Sequence, residues 1–541
     1  MAVATTAPGI SSPRMPDSDT TRPDLDEALR RRRMTGDANR ADVVASRHAA
    51  GRRTARENLA DLCDDGSFVE YGGLAIAAQR GRRSVDDLIQ RTPADGLIGG
   101  TARINGALVG ADRADCAVLS YDYTVLAGTQ GVMGHRKKDR LFDVIERRQL
   151  PVVLFAEGGG GRPGDTDHAM VAGLDVMAFA LWARLSGAVP RVGIASGRCF
   201  AGNALLLGCC DLVIATPDAS IGMGGPAMIE GGGLGVVDAD EVGPFDMQVR
   251  NGVVDVAATD EADAVRLARQ AIAFFQGPVD TWAAPDQLLL RDIVPENRRR
   301  AYDVRRAVDL LADTGSVLEL RSGFARGMVT ALARIEGRPV GIVANNPMHL
   351  AGAITSDCAD KAARFLQLCE AFSLPVLFLC DTPGIMVGPD AERTALVRHA
   401  SRLFLAGSAL TVPFMTVVLR KGYGLGAQAM AGGSFRAPLM TVAWPTGEFG
   451  GMGLEGAVKL AYRKELDAIA DADERQAKYE AMVADSYARG AAINTATYFE
   501  IDDVIDPAET RALVAAVILR PGDVLRATSR GEQRRRYVDS W

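Results

Sequence analysis

One internal repeat constrains this chain more than any other feature. Pro151-Val-Val-Leu-Phe-Ala-Glu157 runs into a glycine-rich loop, Gly158 to Gly164, and Pro375-Val-Leu-Phe-Leu-Cys-Asp381 runs into Thr382-Pro383-Gly384. The two prolines are 224 residues apart, and so are the acids Glu157 and Asp381. Further on, Val-Pro190 leads through an apolar run to Gly197-Arg-Cys-Phe-Ala-Gly202, and Val-Pro413 leads through another to Arg420-Lys-Gly-Tyr-Gly-Leu-Gly426. Gly202 and Gly426 stand at the same offset of 224. Three landmarks at one spacing imply a duplicated fold.

Each half reads as α/β. Short apolar runs bounded by Pro and Gly predict buried strands at 151–156, 191–196, 211–215, 341–344, 375–380, 414–419 and 439–443. Between them, helical patterns run over His168–Leu185, Ala359–Phe372 and Glu392–Leu405. Such alternation predicts parallel βαβ units with both sheet faces covered. The joint is expected near 290–305, in the polar stretch Pro295-Glu-Asn-Arg-Arg-Arg300, giving domains at 41–300 and 301–520. Residues 1–40 read as a disordered tail (1–22) followed by a short helix over 24–34, and 521–541, with Arg534 to Arg536, as a solvated basic tail.

Composition removes several function classes. At 541 residues the chain can bury a large core without staples. A net charge of −7 argues against nucleic acid as the partner. No apolar run reaches membrane-spanning length, because Ala169–Leu185 is broken by Asp175 and Arg184. The N-terminus lacks a signal-peptide apolar region and carries Asp17, Asp19, Asp24 and Asp26, so a cytoplasmic protein is expected. Eight scattered cysteines form no C-x-x-C, and only five histidines occur, so no tightly bound metal is expected.

The nucleotide and nucleophile motifs fail one by one. Gly159-Gly-Gly161-Arg-Pro-Gly164 matches G-x-G-x-x-G after a strand, but no acid ends the next strand, as a dinucleotide site requires. There is neither a P-loop nor a G-x-S-x-G elbow. Cys209-Cys210 lies in the apolar stretch Leu205–Ile214, which reads as core, and Asp165 and His168 read as capping residues at a helix start. What remains are glycine-rich strand-to-helix turns, two per half: 158–164 and 197–202, then 382–388 and 422–426. Such turns let backbone approach a ligand closely and present helix N-terminal amides to an oxygen gaining negative charge.

Several long stretches then resemble one family. They are Gly51-Arg-Arg-Thr-Ala-Arg-Glu57, Asp65-Gly-Ser-Phe-Val-Glu70, Gly337-Arg-Pro-Val-Gly-Ile-Val-Ala-Asn-Asn-Pro347, Ala351-Gly352, Asp360-Lys-Ala-Ala-Arg-Phe365, Asp381-Thr-Pro-Gly384 with Gly388, Arg420-Lys421 with Tyr423-Gly424, and Gly450-Gly-Met-Gly453 with Glu455-Gly-Ala457. Over roughly 45–520 the chain resembles the carboxyltransferase β subunits of biotin-dependent acyl-CoA carboxylases, of the propionyl-, methylcrotonyl- and acyl-CoA kind. The resemblance implies two crotonase-like domains. It also implies that carboxybiotin, on a carrier protein, gives its carboxyl group to the α-carbon or a vinylogous carbon of an acyl-CoA through an enolate. By the family's motif, the enolate amides fall on Ala201 and Gly202, and the amides that polarise the biotin ureido oxygen on Leu425 and Gly426. Arg53, Arg56, Gly159, Gly160 and Gly161 fall in the CoA region, and Pro383, Gly384, Tyr423, Gly424 and Gln428 around biotin and the acyl group. Arg162 and Lys421 keep family positions without an assigned role.

The resemblance further implies a hexamer, a trimer of dimers, with active sites between protomers. The chain has no Ala-Met-Lys-Met-type biotinyl site and no ATP-grasp region, so an α subunit bearing the biotin carboxylase and the biotin carrier is expected. Departures from the family pattern are Gly158 for Ser, Ala201 for Gly with Phe200 before it, Thr355 for Asp, and Ala391 for Gln. An alanine at 201 keeps its amide usable only with negative φ. These departures bear on the acyl substrate, and they leave two alternatives: a biotin-linked decarboxylase subunit, or a non-catalytic scaffold of the same fold.

Overall fold

The computed structural model describes residues 22–167, 172–520 and 537–541. The expected disordered tail, most of the basic tail and the start of the helix expected from His168 lie outside them. The duplication is visible in the topology. The first half builds a seven-stranded sheet ordered Val69–Glu70, Leu97–Arg103, Asp115–Tyr121, Val152–Phe155, Arg191–Ala195, Leu212–Ala215 and Val256–Ala257. The second half builds an eight-stranded sheet along Leu318–Leu320, Met328–Ile335, Arg338–Asn345, Val376–Thr382, Phe414–Tyr423, Met440–Ala443 and Asp503–Val504, with Glu448–Gly450 pairing the end of Phe414–Tyr423. Both sheets open on antiparallel pairs and continue as parallel strands.

The register repeats residue for residue. Ala117 pairs with Val152 in one half and Gly341 with Val376 in the other, an offset of 224 on both strands. The same offset relates the isolated bridges Gln130–Gly161 and Ile354–Ile385. It also relates two left-handed Leu-Ala-Gly turns, Leu126–Gly128 and Leu350–Gly352. Gly is required at the end of each turn: a Cβ would lie 2.5 Å from the Glu157 carbonyl at Gly128 and 2.3 Å from the Asp381 carbonyl at Gly352. One strand later the register slips by one. Val152 pairs with Arg191 but Val376 with Phe414, and Gly158 bridges Cys199 whereas Thr382 pairs with Gly422. From here the offset is 223.

Two buried lysines obey the repeat as well. On helix α1 (Val132–Arg148), Lys137 Nζ donates to the carbonyls of Ala94, at 3.0 Å, and Leu97. On helix α3 (Ser356–Ala371; α2 is the short helix Gly202–Gly208), Lys361 Nζ donates to those of Arg321, at 2.8 Å, and Phe324, at 3.0 Å. Leu290, Ile293 and Val294 and the segment Tyr302–Ala312 pack on the second sheet, while Pro295–Arg300 loops between them.

Some elements differ from the sequence reading. Within the described part of the helix expected over His168–Leu185, from residue 172 on, the helix forms at Ala178–Arg184, and Gly173 takes a φ of 62° before it. The helix expected over Glu392–Leu405 is divided at Ala395 (φ 57°) and resumes as Leu396–Ser408. The described end of the basic tail is docked on the chain although Tyr537, Ser540 and Trp541 stay exposed: Val538 is buried, bonded through its backbone to Ser186, and Arg402 holds Asp539 and the Trp541 carbonyl. All eight cysteines are free and seven are buried; burial raises the thiols of Cys116, Cys199, Cys210, Cys369 and Cys380, and that of Cys63 to about 12. Among the described residues no helix is long and apolar enough to cross a membrane, and no group of three metal-binding side chains occurs.

Candidate active site

Each half ends a central strand in a glycine turn and starts a short helix beside it. In the first half, Arg198–Phe200 pairs with Ser220–Gly222 and leads through Ala201 into α2. In the second, Phe414–Tyr423 leads directly into α4 (Gly424–Ala429). The first amides of a helix have no acceptor within it.

The two turns are not identical. Ala201 adopts φ 50°, ψ −119°, and its N–H donates to the Gly222 carbonyl at 3.0 Å. The expectation of a negative φ at this alanine is therefore not met, and the Ala201 amide is engaged. The physical reason is the one-residue slip. Ala201 matches Gly424 (φ 56°), not Leu425, and both use positive φ to swing the chain into the helix. Among the described residues no backbone acceptor outside the helices is seen for the first-turn amides at matched positions, Gly202 and Asn203 in the first half and Leu425 and Gly426 in the second.

The glycines lining these turns are required by close backbone approach. A Cβ at Gly160 would meet Ala201 Cβ at 2.7 Å, and one at Gly426 would meet Gly384 Cα at 2.6 Å. At Gly158 a Cβ would lie 2.3 Å from both Asn203 Nδ2 and the Gly128 carbonyl, which accounts for the missing serine. Gly160 and Gly384 accept the Gln130 and Ile354 amides at 2.7 and 3.1 Å, again at the 224 offset. Gly159 donates to Ala127 at 3.0 Å and is exposed, as is Gly161. Pro383 and Gly384 are half-buried, Leu425 and Gln428 exposed, and Tyr423 buried with its hydroxyl donating to Glu448 at 2.8 Å.

Charged side chains brace the turns rather than face outward. Arg162 is buried and pairs with Asp95, and it also donates to the Thr129 carbonyl at 2.9 Å. Burial raises the Asp95 carboxyl even against that guanidinium. Lys421 donates to the Ala351 carbonyl at 2.7 Å and lies 3.3 Å from Asp381, which also receives Arg420 at 3.1 Å. Glu157, the counterpart of Asp381, is held by Arg47 and raised by burial. So the two unassigned family positions, Arg162 and Lys421, pin the loops that carry the glycines. Arg53 and Arg56 are also engaged within the chain. Arg53 pairs with Asp61; Arg56 donates to the Thr35 carbonyl at 2.7 Å and to Glu70 at 3.2 Å. Thr355 caps α3 through the Cys358 amide at 3.3 Å, doing for the helix what an aspartate would, and Ala391 lies in the short helix Pro389–Glu392.

Sequence reasoning missed three side chains behind the first turn: Gln130, Lys138 and Asn203. Asn203 Nδ2 donates to the Gly128 carbonyl at 3.3 Å, Gln130 Nε2 to Asn203 Oδ1 at 3.1 Å, and Lys138 Nζ to Gln130 Oε1 at 2.5 Å. Reading the repeat at every position, not only at its glycines, exposes the polar residues in one half against Ile354 and Ala362 in the other.

The carboxyl transferase domain family matches residues 46–519. The methylmalonyl-CoA carboxyltransferase 12S subunit of Propionibacterium freudenreichii subsp. shermanii is 33% identical, over 88% of this chain and 90% of its own length. The propionyl-CoA carboxylase beta chain of Saccharopolyspora erythraea is 31% identical over 96% of each chain. Among solved structures, a single-chain, multi-domain long-chain acyl-CoA carboxylase is 60% identical with a TM-score of 0.88 over 92% of this chain, which spans 49% of that longer one. The transcarboxylase 12S, described as a hexamer and solved with methylmalonyl-CoA bound, is 29% identical with a TM-score of 0.80, over 96% of this chain and 98% of its own. With its doubled crotonase-like fold, the chain belongs to the carboxyl transferase family, alongside the β subunits of biotin-dependent acyl-CoA carboxylases.

Proposed function

We propose that the chain moves a carboxyl group from carboxybiotin, carried by a partner subunit, to an acyl-CoA, with backbone amides as the catalytic groups. The observation that carries this reading is the pair of register-matched turns, each with helix amides open beside glycines that no other residue can replace. In the half spanning 41–300, Gly202 and Asn203 hold the thioester oxygen as it becomes an enolate oxygen, and Ala201 sets the direction of the turn. In the half spanning 301–520, Leu425 and Gly426 polarise the ureido oxygen. The second turn fits a flat urea: Gly424 and Gly426 leave backbone only, since a Cβ at either would strike Gly451 O at 2.7 Å or Gly384 Cα at 2.6 Å. Carboxybiotin supplies the activated carboxyl group.

The residues of the chain orient the acceptor, exclude water and hold the negative oxygen; no side-chain nucleophile is used. Gly159, Gly160 and Gly161 form the wall along which the CoA thioester approaches. Arg53 and Arg56 border it and would exchange their present partners for phosphate. Pro383, Gly384, Tyr423 and Gln428 shape the opposite pocket. The resemblance and the hexameric transcarboxylase support a hexamer in which one chain's first turn faces another's second. Exposed apolar side chains near both turns fit that burial: Met223, next to Gly222, by the first, and Leu425 and Met452 by the second. An α subunit supplies biotin and ATP chemistry, and the assembly works in the cytoplasm. The 60% identity to a long-chain acyl-CoA carboxylase favours a long-chain acyl-CoA as acceptor.

The test is carboxyl transfer from carboxylated free biotin to a panel from acetyl- to long-chain acyl-CoA. Leu425→Pro deletes one amide at an exposed position. It is expected to lower kcat about 100- to 1,000-fold while the oligomer persists. Gly426→Pro is expected to stop transfer too, but it adds a clash with Gly384. Retained turnover in Leu425→Pro would overturn the amide assignment, and no transfer to any thioester would favour the scaffold.

A further inference from the structure

The first half contains a buried polar triad that the second half does without. Lys138 is fully enclosed, and among the described residues its ammonium has one hydrogen-bond partner, Gln130 Oε1 at 2.5 Å. The aromatic faces of Phe179 and Tyr121 lie 5.7 and 5.8 Å from it. Gln130 passes the contact to Asn203, and Asn203 to the Gly128 carbonyl, at 3.1 and 3.3 Å. Asn203 and Gly202 open α2, and a Cβ on Gly202 would sit 2.9 Å from Gln130 Nε2 and 3.0 Å from Phe179 Cζ. The triad therefore lies directly behind the first turn.

The repeat supplies an internal control. At matched positions the second half has Ile354 for Gln130, Ala362 for Lys138 and Gly426 for Asn203, all buried and none with a polar side chain. The neighbouring lysines 137 and 361 are shared and bind backbone in both halves, so they answer to the fold. Lys138, Gln130 and Asn203 do not, because the same scaffold stands without them. Burying an ammonium is costly, and a fold that needs no charge there gains nothing from one.

We propose that Lys138, acting through Gln130 and Asn203, is a positioning residue for the enolate turn: it locks the Gly202–Asn203 amides in place and sets positive charge behind them. This inference rests on the carboxyltransferase reading above. The chemistry asks for such an asymmetry. A thioester oxygen takes on a full negative charge at the first turn, and positive charge in a low-dielectric site stabilises it strongly. Burial draws Lys138 down to about 7 and the nearby His135 to about 4, so Lys138 takes up its proton before His135 does, and an oxygen gaining negative charge at the turn favours that charged form.

The experiment makes the first half apolar at the triad, as the second half is: Gln130→Ile, Lys138→Met and Asn203→Ala together, with Lys138→Met alone beside it. Thermal stability, kcat, and KM for acyl-CoA and for biotin are read in the full-length protein. The triple variant is expected to unfold at or above the native temperature. Its kcat is expected to fall roughly 10- to 100-fold, less than for loss of a direct oxyanion donor, with both KM values within about threefold. Stability and catalysis would then separate. A triple variant that recovers native kcat along with native stability would show the triad to be structural and overturn the proposal. A native protein that carboxylates no acyl-CoA would overturn the underlying reading, and the triad's role with it; turnover in the native protein with unchanged kcat in the triple variant would sink the triad alone.

Discussion

The two halves of this molecule share a scaffold and differ at the point of chemistry. Leu-Ala-Gly turns, isolated bridges and buried lysines recur at 224 residues, yet the strand pairing and positive-φ turns that follow them are offset by 223. In the first half the positive φ falls on an alanine whose amide is tied to Gly222; in the second it falls on Gly424, which carries no strain. The first half buries a lysine behind its turn and the second buries Ala362. Duplication thus preserves what packs the sheets, while the turns diverge; on the proposed function they serve two oxygens of different charge.

The comparison is broken most severely at the loop staples. Arg162→Met leaves Asp95 buried without its cation and is expected to cost about 3–5 kcal/mol. Lys421→Met, at a partly exposed site where Arg420 still holds Asp381, is expected to cost about 1 kcal/mol. Urea denaturation of both variants checks the ordering, and equal losses would mean that the two loops are braced alike.

Protonation sharpens the same contrast. Burial lowers Lys137 and Lys361 to about 8 and Lys138 to about 7, from 10.5. The unfolded chain therefore binds more protons than the folded one above those values, and stability is expected to rise with pH between 7 and 8.5. Lys138→Met is expected to flatten that rise, because it removes the lowest of the three. A urea midpoint that falls across this range in the native protein would contradict the burial of these ammonium groups.

The smallest effects lie at the positive-φ pair. Ala201→Gly is expected to stabilise by about 1 kcal/mol, by relieving a conformation that a Cβ resists. Gly424→Ala is expected to destabilise by more, since its Cβ would also meet Gly451 O at 2.7 Å. Changes of the same sign at both sites would deny the structural match between Ala201 and Gly424.

Much of this architecture is legible in the sequence, for identifiable reasons. Strands such as Val152–Phe155, and Val376–Thr382 up to Cys380, are continuous apolar runs fenced by Pro and Gly, so they announce themselves. Leu97–Arg103 escapes because Gly99 and Gly100 interrupt its apolar face where Leu141 and the Val69 backbone press in. In the expected helix over 168–185, the described residues 172–177 are not helical because Gly173 turns the chain despite an apolar pattern. The turns at 201–202 and 425–426 are visible as glycine motifs. The one-residue slip between them is not, because it arises in strand pairing rather than in composition. The triad of Gln130, Lys138 and Asn203 is hidden for a different reason: its members are 73 and 8 residues apart and meet only across the folded turn.

The most direct test of the account is a crystal structure of the oligomer with acyl-CoA and biotin bound. The account predicts the thioester oxygen about 2.7–3.1 Å from the Gly202 and Asn203 nitrogens, and the ureido oxygen at similar distances from those of Leu425 and Gly426. A thioester oxygen held by a side chain, or pointing away from the start of α2, would contradict it.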